Sequence, residues 1–256
     1  MKIDKKIAVI TGAGSGLGAA TARALASRGA KVGLIDLSAG AAEPLAEELG
    51  GAFASCDVSD PSMAAKALEQ ITKALGTPHI LVNCAGITIG REMLTGGDRA
   101  ARLEKFKKVI NVNLTGTLNM ISLFAEMSSA EEVAEDEERG VIISTASIAA
   151  HEGQIGISAY SASKGGIAAL TLPVARELAA IKIRANAISP GYFDTPMISK
   201  LPDYVKEGCS KGFVYPDRFG RVEEFAGLVL HIIDNEMING EVIRLDGAMR
   251  LPPSFI

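Results

Sequence analysis

Short apolar runs alternate along this chain with longer segments in which apolar residues recur every three or four positions. Most of the runs are continuously apolar, a pattern typical of strands that helices cover on both faces. We therefore predict a single α/β domain over residues 1–256, with a doubly wound, seven-stranded parallel sheet and helices on both faces. The predicted strands are Ile7–Thr11, Lys31–Asp36, Ala52–Cys56, Ile80–Cys84, Val141–Ala146, Ile183–Ile188 and Glu241–Leu245, and the predicted helices lie near 17–28, 40–49, 61–75, 99–127, 158–180 and 221–234.

Two segments interrupt this alternation. The stretch from Met127 to Gly140 holds six acidic residues, and we interpret 128–139 as a solvated surface insertion. The stretch Tyr192–Pro216 combines prolines and glycines with large apolar side chains just after a strand, which predicts a lid over a ligand at about 192–216. Pro173 lies inside a predicted helix, where the missing backbone donor predicts a kink.

The composition excludes several classes of protein. A chain of 256 residues that is 48% apolar can fill one large domain, and a net charge of −4 leaves no basic excess for nucleic acid or an anionic membrane. Three cysteines form no C-x-x-C pair and three histidines are scattered, so we expect reduced thiols and no metal site. No leader pattern or membrane-spanning apolar stretch is present, and the expected location is cytoplasmic.

The first predicted strand leads into a glycine-rich turn, Gly12-Ala13-Gly14-Ser15-Gly16-Leu17-Gly18, that opens a helix. Glycines let the backbone approach a pyrophosphate closely, and the free N–H groups at a helix N-terminus favour its negative charge. An ordinary glycine-rich connection is the alternative.

Asp36 ends the second predicted strand. A carboxylate there can accept hydrogen bonds from both ribose hydroxyls of adenosine and would repel a 2′-phosphate. No Arg or Lys lies at Ser15 or over 37–40, so we predict NAD rather than NADP as the cofactor. A helix or turn cap is the alternative role for Asp36.

Small and polar residues follow other predicted strands, whose carboxyl ends meet at the ligand edge of such a sheet. Asp57 can meet the adenine amino group, and Thr195 can bond the nicotinamide carboxamide. Cys84 we interpret as packing, since no histidine lies near it in sequence. The further predicted cofactor residues are Asn83, Ala85, Gly86, Pro190 and Gly191.

Tyr160 and Lys164 are four residues apart, so they lie one turn apart on one helix face. Carbonyl reduction needs a proton donor and alcohol oxidation a base, and Tyr160 fits both roles if Lys164 lowers its pKa from about 10. Ser147 can hold the substrate oxygen, and Asn113 can hold a water that links Lys164 to solvent. Each feature alone is common, but with the glycine-rich turn they predict hydride transfer between a nicotinamide cofactor and an alcohol or ketone.

These motifs resemble those of the short-chain dehydrogenase/reductase family over nearly the whole chain. The similar stretches are TGAGSGLG, NCAG, YSASK and PGYFDT, together with Asp36, Asp57, Asn113 and Ser147. Within the family the chain is similar to the 3-hydroxyacyl-CoA dehydrogenase type-2 group at GVIISTASIAA, YSASKGGIAALTLP and NGEVIRLDGA.

The resemblance implies a Rossmann fold and NAD-dependent interconversion of an L-3-hydroxyacyl-CoA and a 3-ketoacyl-CoA. It also implies a homotetramer in which the helices near 99–127 and 158–180 pair across subunits. The implied catalytic residues are Ser147, Tyr160, Lys164 and Asn113, and the implied substrate contacts are Ser147, Gln154 and Tyr160. The resemblance adds Ser15, Leu17, Val58, Cys84 and Phe193, besides Tyr160 and Lys164, to the residues that line the cofactor.

Other functions stay open at this point. A steroid or another small secondary alcohol would suit the same residues, because lid variation alone changes the substrate of a fold. An NADPH-dependent ketoacyl-carrier-protein reductase is opposed by Asp36. A non-catalytic binding or scaffold subunit would not need the four catalytic residues, and all four are present.

Overall fold

The computed structural model describes residues 1–89, 94–95, 97–130, 134, 137–201 and 203–254. Its strands are β1 (Ile7–Thr11), β2 (Lys31–Asp36), β3 (Ala52–Ser55), β4 (Ile80–Asn83), β5 (Gly140–Thr145), β6 (Ile183–Pro190) and β7 (Val242–Leu245). They form one parallel sheet in the order β3-β2-β1-β4-β5-β6-β7. The predicted doubly wound sheet is confirmed.

Helices cover both faces of this sheet. They are α1 (Gly16–Ser27), α2 (Ala39–Glu48), α3 (Pro61–Leu75), α4 (Arg99–Ile110), α5 (Gly116–Ser129), α6 (Ser158–Leu178), α7 (Pro196–Ser199), α8 (Asp203–Ser210) and α9 (Val222–Asp234). A π-helical turn at Asn111–Thr115 joins α4 to α5. The prediction of one regular helix over 99–127 is therefore wrong at its middle, because a π turn adds a residue to the helical repeat.

The predicted lid holds two helices that sequence analysis did not predict, α7 and α8. Helices this short carry too little apolar periodicity to be recognised. Pro173 lies within α6, as predicted, and its kink stays a prediction.

The apolar runs are continuous because neighbouring residues of one strand serve two cores. In β1, Ala8 and Ile10 belong to the core that includes residues of α1 and α9, whereas Val9 belongs to the core that includes residues of α3, α5 and α6. Full burial contributes about 1.5–3 kcal/mol for each of the larger side chains, Val9 and Ile10. The carboxyl edge of the sheet is thus held between two packed layers.

The acidic segment before β5 is only partly solvated. Residues 131–133 and 135–136 lie outside the described residues. Glu137 pairs with Lys6 at 3.3 Å near the surface. Glu138 is only 10% exposed, beside the Arg184 guanidinium and 3.3 Å from the Met1 ammonium. The interpretation as a solvated insertion is wrong for Glu138, because the buried Arg184 guanidinium is paired with its carboxylate.

Candidate active site

The glycine-rich turn between β1 and α1 leaves no room for side chains. Gly12 has a φ of 63°, and a Cβ on it would lie 2.7 Å from the Ala85 backbone nitrogen. A Cβ on Gly18 would lie 2.3 Å from the Gly12 carbonyl oxygen. These close approaches bring the first N–H groups of α1 to the carboxyl edge of the sheet, where a pyrophosphate fits.

Asp36 stands beside this turn at the end of β2. Its Oδ2 accepts a hydrogen bond from Gly14 N at 2.9 Å, and its Oδ1 accepts one from Ser38 N at 3.0 Å. The carboxylate is partly exposed, and a carboxylate offers about four acceptor positions. Asp36 therefore caps the turn and can still accept hydrogen bonds from a ribose.

Three other predicted cofactor residues border the same crevice. Ala85 N donates to Thr11 Oγ1 at 3.2 Å, which ties the segment after β4 to the end of β1. A Cβ on Gly86 would lie 3.6 Å from Lys164 Nζ, which places this glycine beside the ammonium. A Cβ on Gly16 would lie 3.2 Å from the Thr195 methyl group, which places Thr195 over the glycine-rich turn.

Two predicted polar residues are held by neighbours. Asp57 Oδ1 accepts hydrogen bonds from the Ser59 backbone N and Oγ at 2.9 and 2.7 Å. Asn83 Nδ2 donates to Ser144 Oγ at 3.4 Å, while its Oδ1 is buried without a partner among the described residues. Both side chains thus stay at the strand ends where they were predicted.

Three predicted cofactor residues have side chains committed to packing. Phe193 is 6% exposed and meets the Phe225 ring edge-to-face at 6.4 Å, and Val58 is 5% exposed. A cofactor contact by either residue stays a prediction. Burial raises the pKa of the Cys84 thiol to about 11, in keeping with a packing residue and not a nucleophile.

Ser147 and Tyr160 come together between β5 and α6. The Ser147 Oγ accepts a hydrogen bond from Ala149 N at 3.1 Å and lies beside the Tyr160 side chain. Burial raises the pKa of Tyr160, and the interaction with the Ser147 hydroxyl opposes the rise. The phenol is therefore protonated at neutral pH.

Lys164 is buried, 3% exposed, one turn beyond Tyr160 on α6. Its Nζ donates to the Thr145 carbonyl oxygen at 2.6 Å and lies 5.7 Å from the centroid of the Tyr160 ring. Burial lowers the pKa of Lys164 from 10.5 to about 8. The condition that Lys164 lowers the Tyr160 pKa is not met in this structure, because burial raises that pKa and the Lys164 ammonium is bonded to Thr145.

Asn113 lies in the π-helical turn, where sequence analysis did not predict an irregular helix. Its Nδ2 donates to the Ile87 carbonyl oxygen at 2.9 Å and to Ser163 Oγ at 3.0 Å, and its Oδ1 accepts from Ile87 N at 2.8 Å. The Asn113 carbonyl oxygen accepts from Thr117 Oγ1 at 2.7 Å. The side chain thus joins the segment after β4 to α6, one residue before Lys164.

Gln154 links three parts of the chain beside the site. Its Nε2 donates to the Pro252 carbonyl oxygen at 3.0 Å, and its Oε1 accepts from the Tyr192 hydroxyl at 3.2 Å. Ile155 N donates to the Pro253 carbonyl oxygen at 2.9 Å. The loop after Ser147 is therefore fastened to the C-terminal segment, and a substrate contact by Gln154 stays a prediction.

A cavity of about 210 Å³ opens beside Tyr160, between the start of α4 and the start of α6. Sequence analysis did not single out its basic residues, because charged residues on a helix are most often solvated. The cavity is lined by Thr88, Ile89, Leu94, Arg99, Arg102, Leu103, Lys105, Phe106, Val109 and Gly156–Tyr160.

Two absences apply to the described ranges alone. There, no group of three or more His, Cys, Asp and Glu side chains is placed to hold a metal ion. Among the same residues, every helix is too short or too polar to span a membrane.

A doubly wound sheet with a glycine-lined crevice, beside a tyrosine and a buried lysine, defines a nicotinamide-dependent oxidoreductase. Comparison with known proteins agrees with this class. Residues 6–205 match the family model described as short chain dehydrogenase. The chain belongs to the short-chain dehydrogenase/reductase family.

Individual relatives are similar to this chain over nearly its whole length. The chain is 46% identical over 250 residues to 3-hydroxyacyl-CoA dehydrogenase type-2 of Bos taurus, covering 96% of each chain. It is 43% identical over 254 residues to the Drosophila melanogaster protein of the same name, covering 98% of this chain and all of the relative. The crystal structure of 3-hydroxyacyl-CoA dehydrogenase type-2 from Mycobacterium avium superposes with a TM-score of 0.90 at 36% identity, covering 97% of both chains.

Proposed function

We propose that this protein is an NAD-dependent dehydrogenase that interconverts an L-3-hydroxyacyl-CoA and a 3-ketoacyl-CoA. The observation that carries the proposal is the position of Ser147 beside Tyr160, with the Lys164 Nζ buried 5.7 Å from the Tyr160 ring and the glycine-lined crevice alongside. The names of the relatives at 43–46% identity support the substrate class.

Residues of the chain fit the cofactor. Gly12 and Gly18 put no side chain in the way of a pyrophosphate at this turn, Asp36 is the group that we assign to the ribose, and Thr195 lies against the turn. Bound NAD(H) supplies or accepts the hydride. We propose NAD over NADP because a carboxylate at Asp36 repels a 2′-phosphate.

Tyr160 moves the proton. In reduction its phenol donates a proton to the substrate oxygen, and its raised pKa keeps that proton available at neutral pH. In oxidation the phenol first passes its proton to the relay that begins at Lys164, and the resulting tyrosinate takes the alcohol proton. The Ser147 hydroxyl holds the substrate oxygen and stabilises the charge that develops there.

Lys164 and Asn113 support that proton transfer. A lysine with a pKa of about 8 exchanges protons readily near neutral pH, so Lys164 can pass a proton between Tyr160 and solvent. The Asn113 carboxamide is committed to Ile87 and Ser163, so a relay water would bond its backbone carbonyl oxygen. Asn113 then acts by holding the segment after β4 against α6.

Initial-rate reduction of acetoacetyl-CoA, with NADH and NADPH in parallel, tests the function. We expect rapid oxidation of NADH and little use of NADPH. Failure to reduce acetoacetyl-CoA, in protein shown to bind NADH, would move the substrate to another ketone or secondary alcohol. Equal kcat/KM with the two cofactors would contradict the role of Asp36.

We also propose a homotetramer and a cytoplasmic location. Leu118 on α5 and Leu172 on α6 are 41% and 44% exposed, and apolar side chains of this kind suit a helix-to-helix contact between subunits. Light scattering that reports a monomer at micromolar concentration would contradict the tetramer.

A further inference from the structure

The cavity beside Tyr160 has a basic wall that the proposed chemistry does not use. Arg99, Arg102 and Lys105 follow one another at intervals of three residues along α4 and line this cavity. The helix carries five basic residues and one acidic residue, in a chain whose net charge is −4. That acidic residue, Glu104, pairs with Lys107 at 2.8 Å. Positive charge is therefore concentrated at the cavity wall.

Arg102 is the most informative of these residues. Its Nη1 is shielded from solvent and has no hydrogen-bond partner among the described residues. A guanidinium carries five N–H donors in a rigid fork and cannot lose its charge in a protein. A buried donor of this kind is unfavourable unless an acceptor meets it.

The position of the arginines in the helix adds to the case. Arg99 is the first residue of α4 and Arg102 the fourth, at the end where the helix dipole disfavours positive charge. Their spacing of three residues also brings like charges together. Asp98 caps the helix by accepting from Ala100 N at 2.9 Å, and no acidic residue lies in the first turn. An anion bound at this wall would offset both the unfavourable helix dipole and the repulsion between the two arginines.

We infer that Arg102, assisted by Arg99, binds an anionic group of the substrate at the mouth of the cavity. The inference rests on the proposed function, under which that group is a phosphate of coenzyme A. Guanidinium groups match the geometry of phosphate oxygens and bind them in bidentate fashion. The remaining wall suits an uncharged arm between the phosphate and the reacting carbonyl, since it includes the apolar side chains of Leu103, Phe106, Val109 and Ile157.

The test compares two substrates that share the reacting group. Acetoacetyl-CoA carries the phosphates, and S-acetoacetyl-N-acetylcysteamine carries the same thioester without them. We expect Arg102→Gln to raise KM for acetoacetyl-CoA by about tenfold or more with little change in kcat, because Arg102 does not touch the reacting atoms. KM for the truncated thioester should stay the same. Arg99→Gln should have a smaller effect, since Arg99 is exposed.

Lys108→Gln is the matched control. It removes one positive charge from the same helix, and Lys108 does not line the cavity. If Lys108→Gln raises KM for acetoacetyl-CoA as much as Arg102→Gln does, the effect is general electrostatic attraction and the subsite is overturned. It is equally overturned if Arg102→Gln raises KM for both thioesters alike.

Binding of free coenzyme A to the NADH-bound protein, measured by calorimetry, does not depend on turnover. Wild-type binding that Arg102→Gln weakens by about tenfold supports the subsite, even if acetoacetyl-CoA is not reduced and the proposed function fails. Equal binding by both proteins, or no binding by either, overturns it. A KM effect of Arg102→Gln on acetoacetate alone would assign Arg102 to a carboxylate and overturn the phosphate.

Discussion

Two helix N-termini face the ligand side of this molecule, and they are built differently. The start of α1 follows glycines whose missing Cβ atoms bring backbone N–H groups close to a ligand. The start of α4 has Arg99 and Arg102 and relies on side chains. Backbone donors are fixed in place and suit a group that never varies, such as the pyrophosphate of a cofactor. Long side chains adjust their position and suit the more variable part of a substrate.

The largest expected effect tests whether proton transfer can be removed while ligand binding at the starts of α1 and α4 is kept. Tyr160→Phe removes the proton donor and leaves the turn and the basic wall intact. We expect kcat for the physiological substrate to fall by about a thousandfold, with NADH affinity unchanged. Stopped-flow rates and fluorescence titration with NADH would measure the two quantities. Turnover close to that of the wild type would contradict the role of Tyr160.

The next prediction disrupts the start of α1, where backbone N–H groups do the binding. A Cβ on Gly18 would lie 2.3 Å from the Gly12 carbonyl oxygen, so Gly18→Ala must displace the turn. We expect NADH affinity to fall by about a hundredfold, because contacts that need close backbone approach are lost. Gly227→Ala in α9 is the control, since a Cβ there meets nothing within 4 Å. Unchanged NADH affinity in Gly18→Ala would mean that the turn does not hold the cofactor.

Lys164 is a buried cation, and the effect of its burial on the free energy of unfolding should be measurable. Between its folded pKa of about 8 and its ordinary value of 10.5 the unfolded chain binds more protons, so stability rises with pH. From about pH 7 to about pH 9.5, wild type should gain roughly 2 kcal/mol relative to Lys164→Met. Urea unfolding at both pH values measures this, and the exposed Lys66→Met should follow wild type. A constant difference would contradict the lowered pKa.

The smallest expected effect concerns the choice between NADH and NADPH. Asp36→Ala removes the carboxylate that we assign to the ribose and should shift the ratio of kcat/KM from NADH toward NADPH by about tenfold. Glu43→Ala, an exposed acidic residue on α2, removes the same charge elsewhere and should leave the ratio unchanged. A ratio that does not move in Asp36→Ala would leave the turn cap as the role of Asp36.

The parts predicted from sequence are those in which residue type and local order decide the outcome. Gly12 and Gly18 were recognised because no other residue fits such a turn, and Asp36 because it ends a strand beside it. The π turn around Asn113 was not predicted, since its helical pattern is ordinary. Arg102 was missed for a related reason, because its burial depends on neighbours brought together by folding. The direction of the Tyr160 pKa depends on burial in the same way.

The hydrogen bonds that fasten the loop after Ser147 to the C-terminal segment affect how the site forms during synthesis. The hydrogen bond from Gln154 to Pro252 can form only after Pro252 has been added, 98 positions later in the chain. The same holds for the hydrogen bond from Ile155 N to Pro253. It also holds for the bond that Leu251 N donates to the Glu152 Oε2 at 2.9 Å. The hydrogen bond that caps the cofactor turn spans far less of the chain, since Gly14 N donates to Asp36 only 22 positions away. The substrate side acquires these hydrogen bonds only after residues 251–253 have been added, so the two sides of the site differ in how much of the chain each needs.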